Sequence, residues 1–169
     1  MKSPFVSILR VMPLLLILSV RAPAQVSKAE LRNDLGLEFL GRCKAFALSY
    51  QRFTSDYFGI ECGASLLGGS ERFDLASLSV GVRTYVLSGN AAPYVSGGIA
   101  ISSASNSDPT FSKSNTSLYA YFGPGFEYRW TDGFLIRGTI YSFIGKHRND
   151  FFADSHLFLW PGIQVGVAF

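Results

Sequence analysis

The sequence predicts an all-β fold: one closed, antiparallel, up-and-down barrel of eight strands that crosses a membrane. Three observations carry this expectation. Apolar residues recur at every second position along nearly the whole chain after residue 25, which is the period of strands. The intervening positions mix glycine, serine and tyrosine with glutamates and arginines of balanced sign. The closing stretch 157–169, LFLWPGIQVGVAF, keeps its alternation to a final aromatic residue, where a fraying terminus is usually polar.

Residues 1–24 precede the pattern and belong to a different kind of segment. Lys2 and Arg10 lead into an apolar run over 11–20, and Ala22, Pro23 and Ala24 make an Ala-x-Ala site. That is the layout of a secretory signal peptide, and the run falls short of the roughly 20 residues of a spanning helix. Gln25 is the expected mature start. Of the 15 basic residues, Lys2, Arg10 and Arg21 lie in this segment, which leaves basic and acidic residues equal at 12. No basic face remains for nucleic acid. Residues 25–34 read as a short leader and 35–169 as the barrel domain.

The strands are expected over 35–41, 44–53, 57–66, 75–87, 93–104, 117–130, 134–145 and 157–169. The first sets Leu35, Leu37 and Phe39 against Gly36, Glu38 and Leu40; the third sets Phe58, Ile60, Cys62, Ala64 and Leu66 against Gly59, Glu61, Gly63 and Ser65. In the fourth, Leu78, Val80, Val82 and Val86 oppose Ser79, Gly81, Arg83 and Tyr85. The sixth opposes Leu118, Phe122, Phe126, Tyr128 and Trp130 to Tyr119, Tyr121, Gly123, Gly125, Glu127 and Arg129, and the seventh opposes Ile136, Ile140 and Ile144 to Arg137, Thr139 and Tyr141. In the last strand Gln164, Gly166 and Ala168 alternate with Ile163, Val165, Val167 and Phe169.

Alternation fits a water-soluble barrel with an apolar core as well as a membrane barrel with the faces inverted. The polar face decides between them. It is poor in lysine, rich in glycine and tyrosine, and its charges balance: Glu38, Glu61 and Glu127 with Arg83, Arg129 and Arg137. Buried charge is costly unless paired, so balance is what an enclosed lumen requires. These six residues are the expected lumen charge network.

The joins 54–56, 88–92 and 131–133 are short, whereas 67–74, 105–116 and 146–156 are longer and polar. The alternation matches tight turns at one membrane face and long loops at the other, with both termini on the tight side; the first outer join, around Arg42, is an exception because it is also short. Tyr57, Tyr94, Tyr128, Trp130, Phe134 and Phe169 then fall at the inner interface. A spanning sheet has no water to satisfy its edges, so the last strand must pair with the first. Cys62 is expected to face lipid and Cys43 the outer rim, which predicts no disulfide between them.

The stretches LGLEFLG, YFGPGFEYRW and WPGIQVGVAF resemble the small eight-stranded outer-membrane barrels of diderm bacteria, typified by OmpA and OmpX barrel domains. The resemblance covers essentially everything after residue 24. It implies outer-membrane lipid and lipopolysaccharide as surroundings. It also implies that Ile163, Val165, Val167 and Phe169 form the signal read by the outer-membrane assembly machinery. No domain follows the barrel in this chain, so anchoring to peptidoglycan by one is not expected.

An eight-stranded barrel is just wide enough for its side chains to fill. The first expectation is therefore a monomeric, non-enzymatic membrane protein with a plugged lumen, acting in envelope structure or through its outer loops, with no cofactor. A narrow solute or ion channel is the nearest alternative. A lipid-modifying barrel enzyme would need a serine, a histidine and an acid in reach of each other. Asp154, Ser155 and His156, with His147, supply the residue types, but neighbours in a strand point to opposite faces. A lipocalin-like soluble binder would need the apolar face inside. Lys146, His147 and Arg148 with Phe151 and Phe152 suit an interfacial anchor more than a lipopolysaccharide contact.

Overall fold

The computed structural model describes residues 28, 30–43, 46–70, 73–108, 111–145 and 158–169. The signal segment lies outside these residues, as do His147, Asp154, Ser155, His156 and the basic-aromatic stretch around them.

Eight strands follow one another: β1 (Asn33–Leu40), β2 (Phe46–Ser55), β3 (Phe58–Ser70), β4 (Phe73–Tyr85), β5 (Ala91–Asp108), β6 (Phe111–Arg129), β7 (Phe134–Gly145) and β8 (Phe158–Ala168). Each pairs antiparallel with the next, and β8 pairs with β1 to close the barrel. The seam runs from Asp34 opposite Ala168 to Leu40 opposite Gly162. Asn33 and Phe169 exchange backbone hydrogen bonds of 3.0 and 2.8 Å at its end. Among the described strands no edge is left open, so the wall presents no row of unpaired backbone groups of the kind an open sheet has.

The two faces are inverted relative to a water-soluble protein. The largest fully buried side chains include Arg42, Arg83, Arg129 and Arg137 together with Tyr94, Tyr119, Tyr121 and Tyr141. Outside, Leu66 is 79% exposed, Val86 66%, Leu118 63% and Ile99 54%. Arginine is almost never fully buried unless paired, and apolar side chains seldom line a whole exterior in water. The apolar-inside arrangement of a lipocalin-like binder is thereby excluded: the interior is polar and charged.

Several sequence expectations are corrected. β1 begins at Asn33, because the first two residues pair with Arg52 and Gln51 of β2, and this brings Asp34 into the wall. Leu40 turns outward instead of continuing the polar face, since its φ of 63° places it in a left-handed turn. The joins expected at 67–74 and 105–116 are mostly strand. β3 and β4 pair as far as Ser70 with Phe73, and β5 and β6 as far as Asp108 with Phe111. Alternation does not reveal such extensions, because these stretches are rich in glycine, serine and other polar residues and show no sustained period-two pattern while the backbone ladder continues. Tyr94 lies inside, not at the interface: Val95 and Ile99 face out, so strand parity turns Tyr94 inward. Cys43 is buried rather than on the outer rim, its thiol 3.6 Å from the Ser79 hydroxyl, while Cys62 is exposed on the outside.

Two glycines shape the lumen. Gly41, at φ 39°, folds the β1–β2 turn down over Glu38; a Cβ there would collide with that carboxylate. Gly98 pairs with Gly81 across β4 and β5, and the Tyr121 hydroxyl lies over both. Gly98→Val would drive into the Val80 carbonyl and displace Tyr121. It is expected to lower stability by about 1–3 kcal/mol, read as the urea midpoint of the refolded barrel.

Candidate functional site

The lumen holds two linked clusters of buried charge. In the half nearer the β1–β2 turn, Glu61 is the hub. Its carboxylate meets Arg42 at 2.5 Å and Arg83 at 2.7 Å, and accepts hydrogen bonds from the Ser96 hydroxyl (2.6 Å) and the Tyr121 hydroxyl (3.2 Å). Arg42 also reaches Glu38 at 3.1 Å, and Tyr141 donates to that same glutamate at 2.8 Å. Tyr119 donates to the Arg42 carbonyl at 2.8 Å. Four different strands and one turn thus converge on two carboxylates.

In the half nearer the termini, Glu127 and Asp34 share two arginines. Arg137 lies 2.5 Å from Glu127 and also pairs with Asp34; Arg129 lies 2.9 Å from Asp34 and 3.4 Å from Glu127. The Tyr85 hydroxyl donates to Glu127 at 2.7 Å. Lys28 enters from the leader, its ammonium 3.4 Å from Glu127. Gln51 joins the clusters: its carbonyl accepts from Arg83 at 2.9 Å and its amide donates to Tyr85 at 3.5 Å. Above the hub, Tyr119, Tyr121, Tyr141 and Phe143 pack as an aromatic plug, with Tyr121 edge-on to Tyr141 at 5.7 Å.

All six residues expected in the network, Glu38, Glu61, Arg83, Glu127, Arg129 and Arg137, lie buried in the lumen, though in two clusters. Sequence reasoning placed Tyr85 on the polar face without counting it in the network, and missed Asp34, Arg42, Lys28 and Gln51. Asp34 was legible by parity, four residues before Glu38 on the same face. Arg42 carried only its spacing of four from Glu38, and Lys28 carried no signal at all. Among the described residues, the four buried carboxylates of the wall are matched by four buried guanidiniums of wall and turn, as charge in a medium of low polarity demands. Among the described residues no group of three or more His, Cys, Asp or Glu side chains is placed to hold a metal.

Among solved structures, the N-terminal β-barrel domain of Pseudomonas aeruginosa OprF superposes with a TM-score of 0.63 at 15% identity, covering 82% of this chain and 96% of that one. The chain has the fold of that barrel domain. Ail, the attachment invasion locus protein of Yersinia pestis, aligns with a TM-score of 0.47 at 14% identity, over 81% of this chain and 92% of its own. No protein-family model matches the chain, and no curated protein matches its sequence.

On the barrel exterior, an aromatic group gathers at the end that carries the termini. Tyr128 and Trp130 meet edge-on at 4.6 Å, and Trp130 lies 5.2 Å from Phe134. Tyr57 and Phe169 are exposed at the same end. Ile163, Val167 and Phe169 project outward from the end of β8, with Val165 half-buried between them.

Proposed function

We propose that this chain is a small integral outer-membrane β-barrel protein, non-enzymatic, with a lumen filled by its own side chains. It serves envelope structure, or interactions through the hairpins and loops opposite the termini. The observation that carries this reading is the inversion of the faces: an apolar exterior around a paired, buried charge network. Such an exterior needs lipid, and such an interior needs enclosure. The signal-peptide layout of residues 1–24 supports export, and the aromatic group beside the termini suits the headgroup level of a periplasmic interface.

The test is recovery and gel mobility. The protein is expected in the membrane fraction, and the unheated band is expected to shift when the sample is boiled. Recovery wholly in the soluble fraction would sink the reading.

The exposed aromatic end of β8 supports the further reading that Ile163, Val165, Val167 and Phe169 engage the outer-membrane assembly machinery. Deleting Phe169 is expected to cut the amount of barrel in the membrane severalfold in cells, while leaving the urea midpoint of refolded protein little changed. Equal loss in both measurements would assign Phe169 to stability instead.

A narrow channel is the second reading. The side-chain amide of Gln164 and the Ser65 hydroxyl are buried without hydrogen-bond partners, and such groups favour water in the lumen. Single-channel recording separates the two: a plugged barrel gives no resolved conductance steps.

A further inference from the structure

Lys28 differs from every other lumen cation among the described residues. The arginines come from strands or from the turn between β1 and β2, whereas Lys28 reaches in from the leader ahead of β1. Among the described residues the buried carboxylates and guanidiniums of wall and turn already balance, so its ammonium is surplus to them. Its nearest carboxylate, Glu127, is engaged by Arg137, Arg129 and the Tyr85 hydroxyl. The Lys28 ammonium is fully buried, and the polar group it meets there is that shared carboxylate, at 3.4 Å.

What surrounds it is an aromatic seat. Its Nζ lies 3.4 Å from the centroid of the Tyr85 ring and 6.0 Å from that of Phe53, with Glu127 at 3.4 Å completing the enclosure. Aromatic faces beside a carboxylate are the chemistry that recognises organic ammonium ions. Lys28 itself lies in no strand, so its withdrawal breaks no ladder hydrogen bond of the wall.

We propose that the lumen mouth beside the termini is a receptor for a primary alkylammonium, filled in cis by Lys28, so that this side chain is a tethered ligand. The aromatic rings and Glu127 define the seat; the four-carbon stem of lysine defines the ligand class, an unbranched alkylammonium of similar length. That this mouth faces the periplasm rests on the outer-membrane reading, but the seat itself does not.

The experiment uses the full mature chain refolded in detergent micelles, with the heat-dependent gel shift checked first. That check reads the barrel; the titration reads the seat, so the two can fail separately. Lys28→Ala is titrated with n-butylammonium chloride, and the backbone amide signals of Phe53, Tyr85 and Glu127 are followed by NMR. Saturable shifts at these residues are expected in the variant. The wild type, whose own lysine competes as a tethered ligand, is expected to need at least about tenfold more n-butylammonium.

Neutral n-butanol and sodium chloride at matched ionic strength are expected to leave the three signals unmoved. Equal shifts with n-butanol would reduce the seat to an apolar cavity and overturn the proposal. So would equal responses of wild type and variant, or no response in a folded variant. Should Lys28→Ala not refold, Lys28→Gln is titrated with the same expectations.

Discussion

Glu61→Ala is expected to destabilise the folded barrel by about 3–5 kcal/mol, because it strips two buried guanidiniums of their common partner. Arg42 and Arg83 meet on this carboxylate at 2.5 and 2.7 Å, and both are shut away from solvent. Arg42 would retain the Glu38 carboxylate, whereas Arg83 would retain the neutral Gln51 and the face of Tyr94, so the second arginine bears most of the loss. The penalty is that of an unpaired buried charge and exceeds the net worth of the original pair. Glu61→Ala combined with Arg83→Leu should therefore recover part of the stability that the single change loses. Urea unfolding of the refolded barrel, followed by the gel shift or tryptophan emission, measures both. A loss below about 1 kcal/mol would mean that water reaches the lumen freely and solvates the arginines.

Ile99→Arg is expected to cost about 2–4 kcal/mol in a lipid bilayer, the price of an arginine facing hydrocarbon near mid-height of a barrel wall. Ile99 projects outward, 54% exposed, between Val80 on β4 and Ala120 on β6. The same substitution on a protein standing in water would change stability by no more than about 0.5 kcal/mol, as surface substitutions usually do. The measured difference thus reads the solvent around the barrel directly. Refolding into vesicles and titrating with urea gives the number; a near-zero value would overturn the membrane reading.

The inward and outward faces were legible because a strand's side chains alternate whatever the strand is paired with. Glu127, Arg129 and Arg137 could be assigned inward from their immediate neighbours, and Ile136, Ile140 and Ile144 outward. Tyr94 was misassigned because its aromatic character was weighed above its parity. The hairpin extensions escaped notice because a polar ladder such as Ser105 opposite Ser114 leaves no apolar face to read. Arg42 escaped because its inward turn depends on Leu40 and Gly41 both adopting positive φ, which a short polar join does not announce.

By itself, then, the sequence determined the strand character, the two faces and the need for closure, since each follows from period-two alternation and the cost of an open edge. Which charges meet was decided only by the tertiary structure. Asp34 and Arg137 stand 103 positions apart, on strands that both flank β8 in the closed barrel. Their meeting depends on ring closure and on the stagger of strands across the lumen, quantities no local pattern encodes. Lys28 is the extreme case: its seat among Tyr85, Phe53 and Glu127 is built from strands β2, β4 and β6, and nothing in the leader's own residues points to it.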